Sequence, residues 1–296
     1  MRVISRPQEH GVDIYDSELT LVHTVPLELS DDDHGYCVSH SRDRLIHVTF
    51  EWLTCLDVEG RELWRVALPP GDPTSIGRTG CDFSADDRRL WVYVPQVMTG
   101  RGGRDQWIVL DAVTGAELAR HELPTAGQGD SHLAFEDGRM LLDVGEGQDG
   151  TQCFLASPDI PVVHLDEWDA RVPLDLSPDG SRILTVDHEG EDAAVHDRPG
   201  GPPLVRIPLS AFGDLGSGDA FIEFNGGFLD ASTVIVVVAG EDEKTEEEWW
   251  KHFTLDSQTG EVTGELGIST IDQYDLTPLG DGTYVISDTD GTLHRM

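Results

Sequence analysis

Cys81-Asp82-Phe83-Ser84-Ala85-Asp86-Asp87-Arg88-Arg89-Leu90-Trp91-Val92-Tyr93-Val94 holds an apolar segment, a turn rich in Asp and Arg, and a second apolar segment. Asp and Ser side chains accept hydrogen bonds from backbone N–H groups two residues on, which closes such turns. The stretch continues as Trp107-Ile108-Val109-Leu110-Asp111-Ala112-Val113-Thr114-Gly115 and ends with Ala116 to Pro124, so four short strands follow one another. Working outward, the unit recurs. A second copy runs from Leu174 through Ser177-Pro178-Asp179-Gly180 to Val186, and a third places Tyr36 to Ser39 before Arg44 to Ile46. Further copies are Leu133 to Val144, Ile222 to Val238 and Tyr274 to Ile286. Almost no segment carries the helical period.

The third strands of these units run out at Asp16, Asp57, Asp111, Asp197 and Asp256, with degenerate counterparts near Ser157 and Arg295. Their gaps of 41, 54, 46, 40, 59 and 39 residues lie near the roughly 40 to 50 residues of one four-stranded propeller blade. The Ser177 to Gly180 turn resembles WD-repeat propellers, and the Asp-x-x-Thr-Gly turns at Asp111 to Gly115 and Asp256 to Gly260 resemble the YVTN-like type. The resemblance spans nearly the whole chain and implies an all-β fold, a β-propeller of four-stranded antiparallel blades over residues 1–296 as a single domain. Seven third strands predict seven blades. Residues 2–27 and 272–296 each read as three strands where eight would complete two blades, so six blades with an N-terminal extension stay open.

The composition narrows the partners. Of 296 residues, 56 are acidic and 20 basic, giving a formal net charge of -36. Nucleic-acid phosphates and anionic lipid need a Lys/Arg surface that displaces their counterions, so neither is expected to bind. The charge would instead attract basic partners at low salt. Only Lys244 and Lys251 are lysines. The opening MRVISRPQEH lacks an apolar core of signal-peptide length, and the longest apolar run, Val234 to Ala239, is too short to span a bilayer. A cytoplasmic protein is expected. Cys37, Cys55, Cys81 and Cys153 show no zinc-ligand spacing and read as buried free thiols.

Aligned on their last apolar residues, Val38, Phe83, Phe135, Leu176, Phe224 and Leu276, the first strands carry Asp82, Asp175, Glu223 and Asp275 at the preceding position, with Cys37 and Ala134 at the other two. In propellers the first strands line the channel. A partial carboxylate ring there would suit Ca²⁺ or Mg²⁺; alternatively, each acid bonds backbone N–H groups of its own or the next blade. No other cofactor is expected. His34 and His132 stand near the same strands and are candidates for a metal ligand or general base, whereas His188 and His196 read as surface residues. Asp288-Thr289-Asp290-Gly291 echoes part of a calcium loop and reads as a hairpin turn.

Two insertions fall in connections that propellers place on one face. Gln96 to Gln106 carries Arg101 and Arg104 and reads as a mobile basic segment. Glu241 to Trp250 carries Glu246 and Glu247 before Trp249 and Trp250, and Asp31-Asp32-Asp33-His34 should open nearby. Acids beside aromatics suit a basic protein segment, charge steering the encounter and Trp anchoring it. Adjacent tryptophans on a strand point to opposite faces. The leading expectation is a non-enzymatic scaffold that binds a protein or peptide partner on this loop-rich face. The alternative is a metal-dependent propeller enzyme, hydrolase- or lactonase-like, using the carboxylates and histidines. A quinone-dependent dehydrogenase is a distant third, from Gly60-Arg61-Glu62-Leu63-Trp64.

Overall fold

A computed structural model describes residues 2–28, 33–157, 160–215, 218–287 and 291–296. Its strands form seven antiparallel sheets in which each strand pairs with its neighbour in sequence. These are the blades of a β-propeller. Sheet 1 comprises β1 (Ile4–Gln8), β2 (Gly11–Tyr15) and β3 (Leu21–Pro26). Sheet 2 holds β4 (Asp33–Val38), β5 (Arg44–Thr49), β6 (Trp52–Asp57) and β7 (Glu62–Ala67). Sheet 3 holds β8 (Gly80–Phe83), β9 (Arg89–Val94), β10 (Asp105–Asp111) and β11 (Glu117–Leu123). Sheet 4 holds β12 (Gly129–Ala134), β13 (Met140–Gly145), β14 (Thr151–Ser157) and β15 (Ile160–His164). Sheet 5 holds β16 (Arg171–Leu176), β17 (Ile183–Asp187), β18 (Asp192–His196) and β19 (Pro203–Pro208). Sheet 6 holds β20 (Ala220–Phe228), β21 (Thr233–Glu241), β22 (Glu248–Asp256) and β23 (Val262–Glu265). Sheet 7 holds β24 (Thr277–Pro278), β25 (Tyr284–Ser287) and β26 (Leu293–Arg295).

The predicted third strands are β2, β6, β10, β14, β18, β22 and β26, each ending at or one residue before the residue the repeat marks. The turns explain why. Asp16 Oδ1 accepts the N–H groups of Glu18 and Thr20, and Asp57 Oδ1 those of Glu59 and Arg61. Asp111 Oδ1 and Asp256 Oδ1 each accept two N–H groups in the same way. In the first turns, Ser84 and Ser177 donate to Asp86 and Asp179, both at 2.7 Å.

Contacts divide the chain into two compact units, residues 1–164 and 165–296. The first holds sheets 1 to 4 and the second sheets 5 to 7. Within each unit, apolar clusters form between successive sheets. Leu90, Val92 and Val94 pack with Ile46, Val48 and Leu53 of sheet 2, whereas Trp91 and Tyr93 pack with Leu142, Val144 and Phe154 of sheet 4. Period-two alternation therefore serves a different neighbour on each face of β9. In the second unit Val234, Val236 and Val238 face sheet 5, and Ile235 faces Leu276, Tyr284 and Ile286 of sheet 7.

Two expectations need correction. Phe224, aligned as the last apolar residue of its strand, is 40% exposed. β20 bulges between Ile222 and Gly226, and buried Phe228 takes the core position instead. His196, read as a surface residue, is 1% exposed. Its Nδ1 lies 2.8 Å from the Gly201 carbonyl and its Nε2 3.0 Å from Thr185 Oγ1. Both faces of β18 are buried, a property that the strand's polar ends conceal.

Phe154→Ala should destabilise the protein by about 3–5 kcal/mol, measured by urea unfolding, and exposed Val113→Ala by less than about 0.5 kcal/mol. Burial pushes the His196 imidazole down to about 4, so the unfolded chain takes up its proton first. Its stabilising contribution is complete above about pH 6.5 and falls towards pH 4, by at most about 1.4 kcal/mol per pH unit. The difference between the stability-pH curves of the wild type and His196→Gln should show that slope; parallel curves would refute it.

Candidate functional site

Strands β4, β8 and β12 bring together three of the six residues predicted at the first strands. His34, Asp82 and His132 line a cavity of about 170 Å³ with Tyr36, Thr79 and Asp130. Thr79 N–H donates to His34 Nδ1 at 2.9 Å. Burial, reinforced by Arg78 and Arg101, pushes that imidazole down to about 4 and keeps it neutral at neutral pH. His132 is engaged on both nitrogens, with Nδ1 2.9 Å from Asp130 Oδ2 and Nε2 accepting from the Trp107 indole at 3.0 Å. Burial raises the Asp130 carboxyl above its ordinary range, against the pull of His132. A Cβ on Gly80 would run into the Asp130 carboxylate, so a larger residue at the start of β8 would push that side chain aside.

Asp82 accepts the N–H of Phe83 at 2.7 Å, and burial pushes its carboxyl upward. Beside it, Cys37 and Cys81 meet across two sheets with their sulfurs 3.3 Å apart. Burial raises the Cys37 thiol well above its usual value. Buried Asp143 on β13 contacts Thr151 and is pushed up to about 7 by burial.

The other predicted carboxylates lie in the second unit and act as joints. Asp175 accepts the N–H of Leu176 at 2.7 Å and, from sheet 6, that of Phe228 at 2.6 Å. Asp275 accepts from Ser287 N–H and hydroxyl, each at 2.8 Å. Glu223, on the bulge of β20, accepts from Phe224 N–H at 2.8 Å and from the Tyr274 hydroxyl at 3.3 Å. Among the described residues, no group of three or more His, Cys, Asp or Glu side chains is placed to hold a metal ion. Asp31, Asp32 and Asp288 to Asp290 fall outside the described residues.

The basic insertion is pinned rather than mobile. Arg101 donates to the carbonyls of Pro69 at 2.8 Å and Pro95 at 3.2 Å, and also to that of Phe50, whose ring its guanidinium covers at 4.5 Å. Asp105, which the repeat pattern does not single out, anchors both ends of the loop. It accepts from the Tyr93 hydroxyl at 2.6 Å, Gln96 N–H at 2.7 Å, and Thr125 Oγ1 and Gly127 N–H at 2.8 Å. Arg104 is exposed immediately before β10.

Beside the pinned loop lies a groove of about 500 Å³ lined by Phe50, Glu51, Trp52, Leu68, Pro69 and Pro70. Trp52 is 38% exposed, and the Arg65 guanidinium lies 5.5 Å from its ring centre. The signal for this groove was present in the Phe-Glu-Trp turn followed by Pro69, Pro70 and Pro73, but no repeat marks it. In the second unit Glu246 and Glu247 are exposed in the β21–β22 turn, which Asp242 closes. Trp249 packs partly against the sheet 5–sheet 6 core, and Trp250 donates to Thr270 Oγ1 at 2.8 Å. Both are half-buried, so neither is a free anchor.

No protein-family model and no curated protein sequence matches the chain. Similar solved structures exist. Hsv2 of Kluyveromyces lactis aligns with a TM-score of 0.62 at 11% identity, over 99% of this chain and 93% of its own. BBS1N, solved in complex with ARL6DN, gives 0.58 at 12% over 99% and 85%. The dihydro-heme d1 dehydrogenase NirN gives 0.51 at 15% over 99% and 70%. Identities this low establish the propeller fold and no activity.

Asp175→Ala should lower stability by about 1–3 kcal/mol, because it leaves the buried Phe228 N–H without this acceptor. Asp105→Ala should cost more, since several buried donors lose one carboxylate. Urea unfolding checks both; an unchanged midpoint for Asp105→Ala would contradict its anchoring role.

Proposed function

We propose that this chain is a non-enzymatic propeller scaffold that binds a basic peptide segment of another protein at its loop edge, with the Phe50–Trp52 groove as anchor. The groove itself carries the reading. It offers an exposed indole, a proline-rich wall and the exposed acid Glu51 in a space fit for one bulky side chain and an adjoining cation. Buried aromatics are the usual energetic centres of interfaces. Arg101 and Asp105 hold the adjoining loop in place before any partner arrives, which lowers the ordering cost of binding.

Charge supports the same direction. A chain of net charge -36 attracts cationic segments over distances set by the ionic strength, and Glu246 and Glu247 extend exposed acid to the second unit. BBS1N, a neighbour in fold, was solved with a bound protein, so the architecture accommodates such a role. The catalytic alternative has less support: His132 has both nitrogens engaged and His34 has its Nδ1 engaged.

Selection of random peptides on the immobilised protein should enrich sequences with Arg or Lys beside a bulky apolar residue. Trp52→Ala should weaken an enriched peptide at least about tenfold, near 1.4 kcal/mol, and Glu246→Lys with Glu247→Lys should slow its association. Affinity should fall as salt rises. Failure to enrich any peptide, or binding unchanged by Trp52→Ala, would overturn the reading.

A further inference from the structure

We propose that the cavity lined by β4, β8 and β12 is a binding site for an alkylammonium group, with Asp82 as its counter-ion and the Thr79 hydroxyl as a hydrogen-bond acceptor. The site is distinct from the peptide groove and does not depend on it.

The first observation is an unmet polar group. Thr79 is 1% exposed, lines the cavity, and its Oγ1 has no hydrogen-bond partner among the described residues. Buried hydroxyls are normally partnered, so an unpartnered one in a cavity wall offers a ligand a hydrogen bond there. The second concerns charge. Two carboxylates line the space, and they are matched unequally: Asp130 has His132 at 2.9 Å, whereas Asp82 accepts one backbone N–H, forms no ion pair among the described residues, and is otherwise favoured in its charged form only through the weaker pull of His132 and His40. Burial disfavours the charged form of Asp82, and a cation seated beside it would restore that form.

The remaining wall selects the kind of cation. A divalent ion takes about six or more oxygen ligands, and no group of three ligating side chains is placed to hold one among the described residues. A primary ammonium needs about three acceptors, which the Asp82 carboxylate and the hydroxyls of Thr79 and Ser131 can supply. Val48 and the Tyr36 ring offer apolar surface for a short methylene chain, and about 170 Å³ admits only a few carbons. The Gly80 backbone, lacking a Cβ that would displace the Asp130 carboxylate, lets the acid wall lie close. The ammonium group can belong to a free small amine or to a lysine side chain of another protein.

Calorimetric titration of the full chain at matched ionic strength tests this with n-butylammonium, 1-butanol, tetramethylammonium, Ca²⁺ and Mg²⁺, and with Nα-acetyl-lysine amide and its Nε-acetylated form. Butylammonium should bind at least about tenfold more tightly than 1-butanol or tetramethylammonium, which lack the charge or the donors. Asp82→Asn should abolish that preference and Thr79→Val should weaken it, while the exposed-acid control Glu136→Gln should leave it intact. Binding of the lysine derivative that acetylation removes assigns the source to a protein side chain; butylammonium binding without it assigns a free amine. Equal binding of amine and alcohol, an unaffected Asp82→Asn, or a heat given only by Ca²⁺ or Mg²⁺ would overturn the proposal. Should Asp82→Asn not fold, Thr79→Val and the ligand series still decide.

Discussion

Each apolar cluster of this protein belongs to two sheets at once. Because Leu90 and Val92 pack towards sheet 2 while Trp91 packs towards sheet 4, β9 has no solvent face, and a slip of one residue would exchange both sets. The same requirement produces the unbroken apolar run from Val234 to Val238. A molecule built this way leaves little choice about where recognition happens. Both faces of inner strands such as β9 and β18 are occupied, whereas outer strands such as β7, β11 and β19 keep one exposed face, so chemistry is concentrated at strand ends and connecting loops.

At those ends, carboxylates do two kinds of work. Partly exposed ones close the turns, as at Asp57 and Asp111. Buried ones join elements that are distant in sequence: Asp175 reaches Phe228 across two sheets, and Asp105 joins the loop after β9 to the segment after β11. Much of the acidity in the interior is therefore structural, and the cavity beside Thr79 stands out because its acid is not used up in this way. The groove at Trp52 depends on the same joints, since Arg101 and Asp105 hold the loop beside it.

Legibility in the sequence followed the range of the interactions. Turn-closing Asp and Ser residues act within five positions, so the third-strand ends at Asp16, Asp57, Asp111 and Asp256 could be read directly and the spacing supplied the others. Three of the six residues marked at the first strands, His34, Asp82 and His132, do meet in one cavity, because strand position is a local property. Longer-range features were hidden. Phe224 is apolar yet displaced, because β20 bulges at residues that only the pairing with β21 reveals. Arg101 looked mobile in a glycine-rich loop, but its partners are carbonyls of Phe50 and Pro69. His196 looked exposed because nothing in a five-residue strand announces that both faces are covered. The orphan hydroxyl of Thr79 has no signature in sequence at all.

The meandering order of the strands bears on how the chain reaches this state. Every described strand hydrogen-bonds to the one before or after it in sequence, so among the described residues each sheet is built from neighbouring segments. Such topologies keep loop closures short and favour faster search than sheets assembled from remote strands. A chain emerging from the ribosome can complete its sheets in order of synthesis. Their apolar faces, however, stay uncovered until the next sheet arrives, and the many like charges at the turns oppose association of such half-built chains with one another.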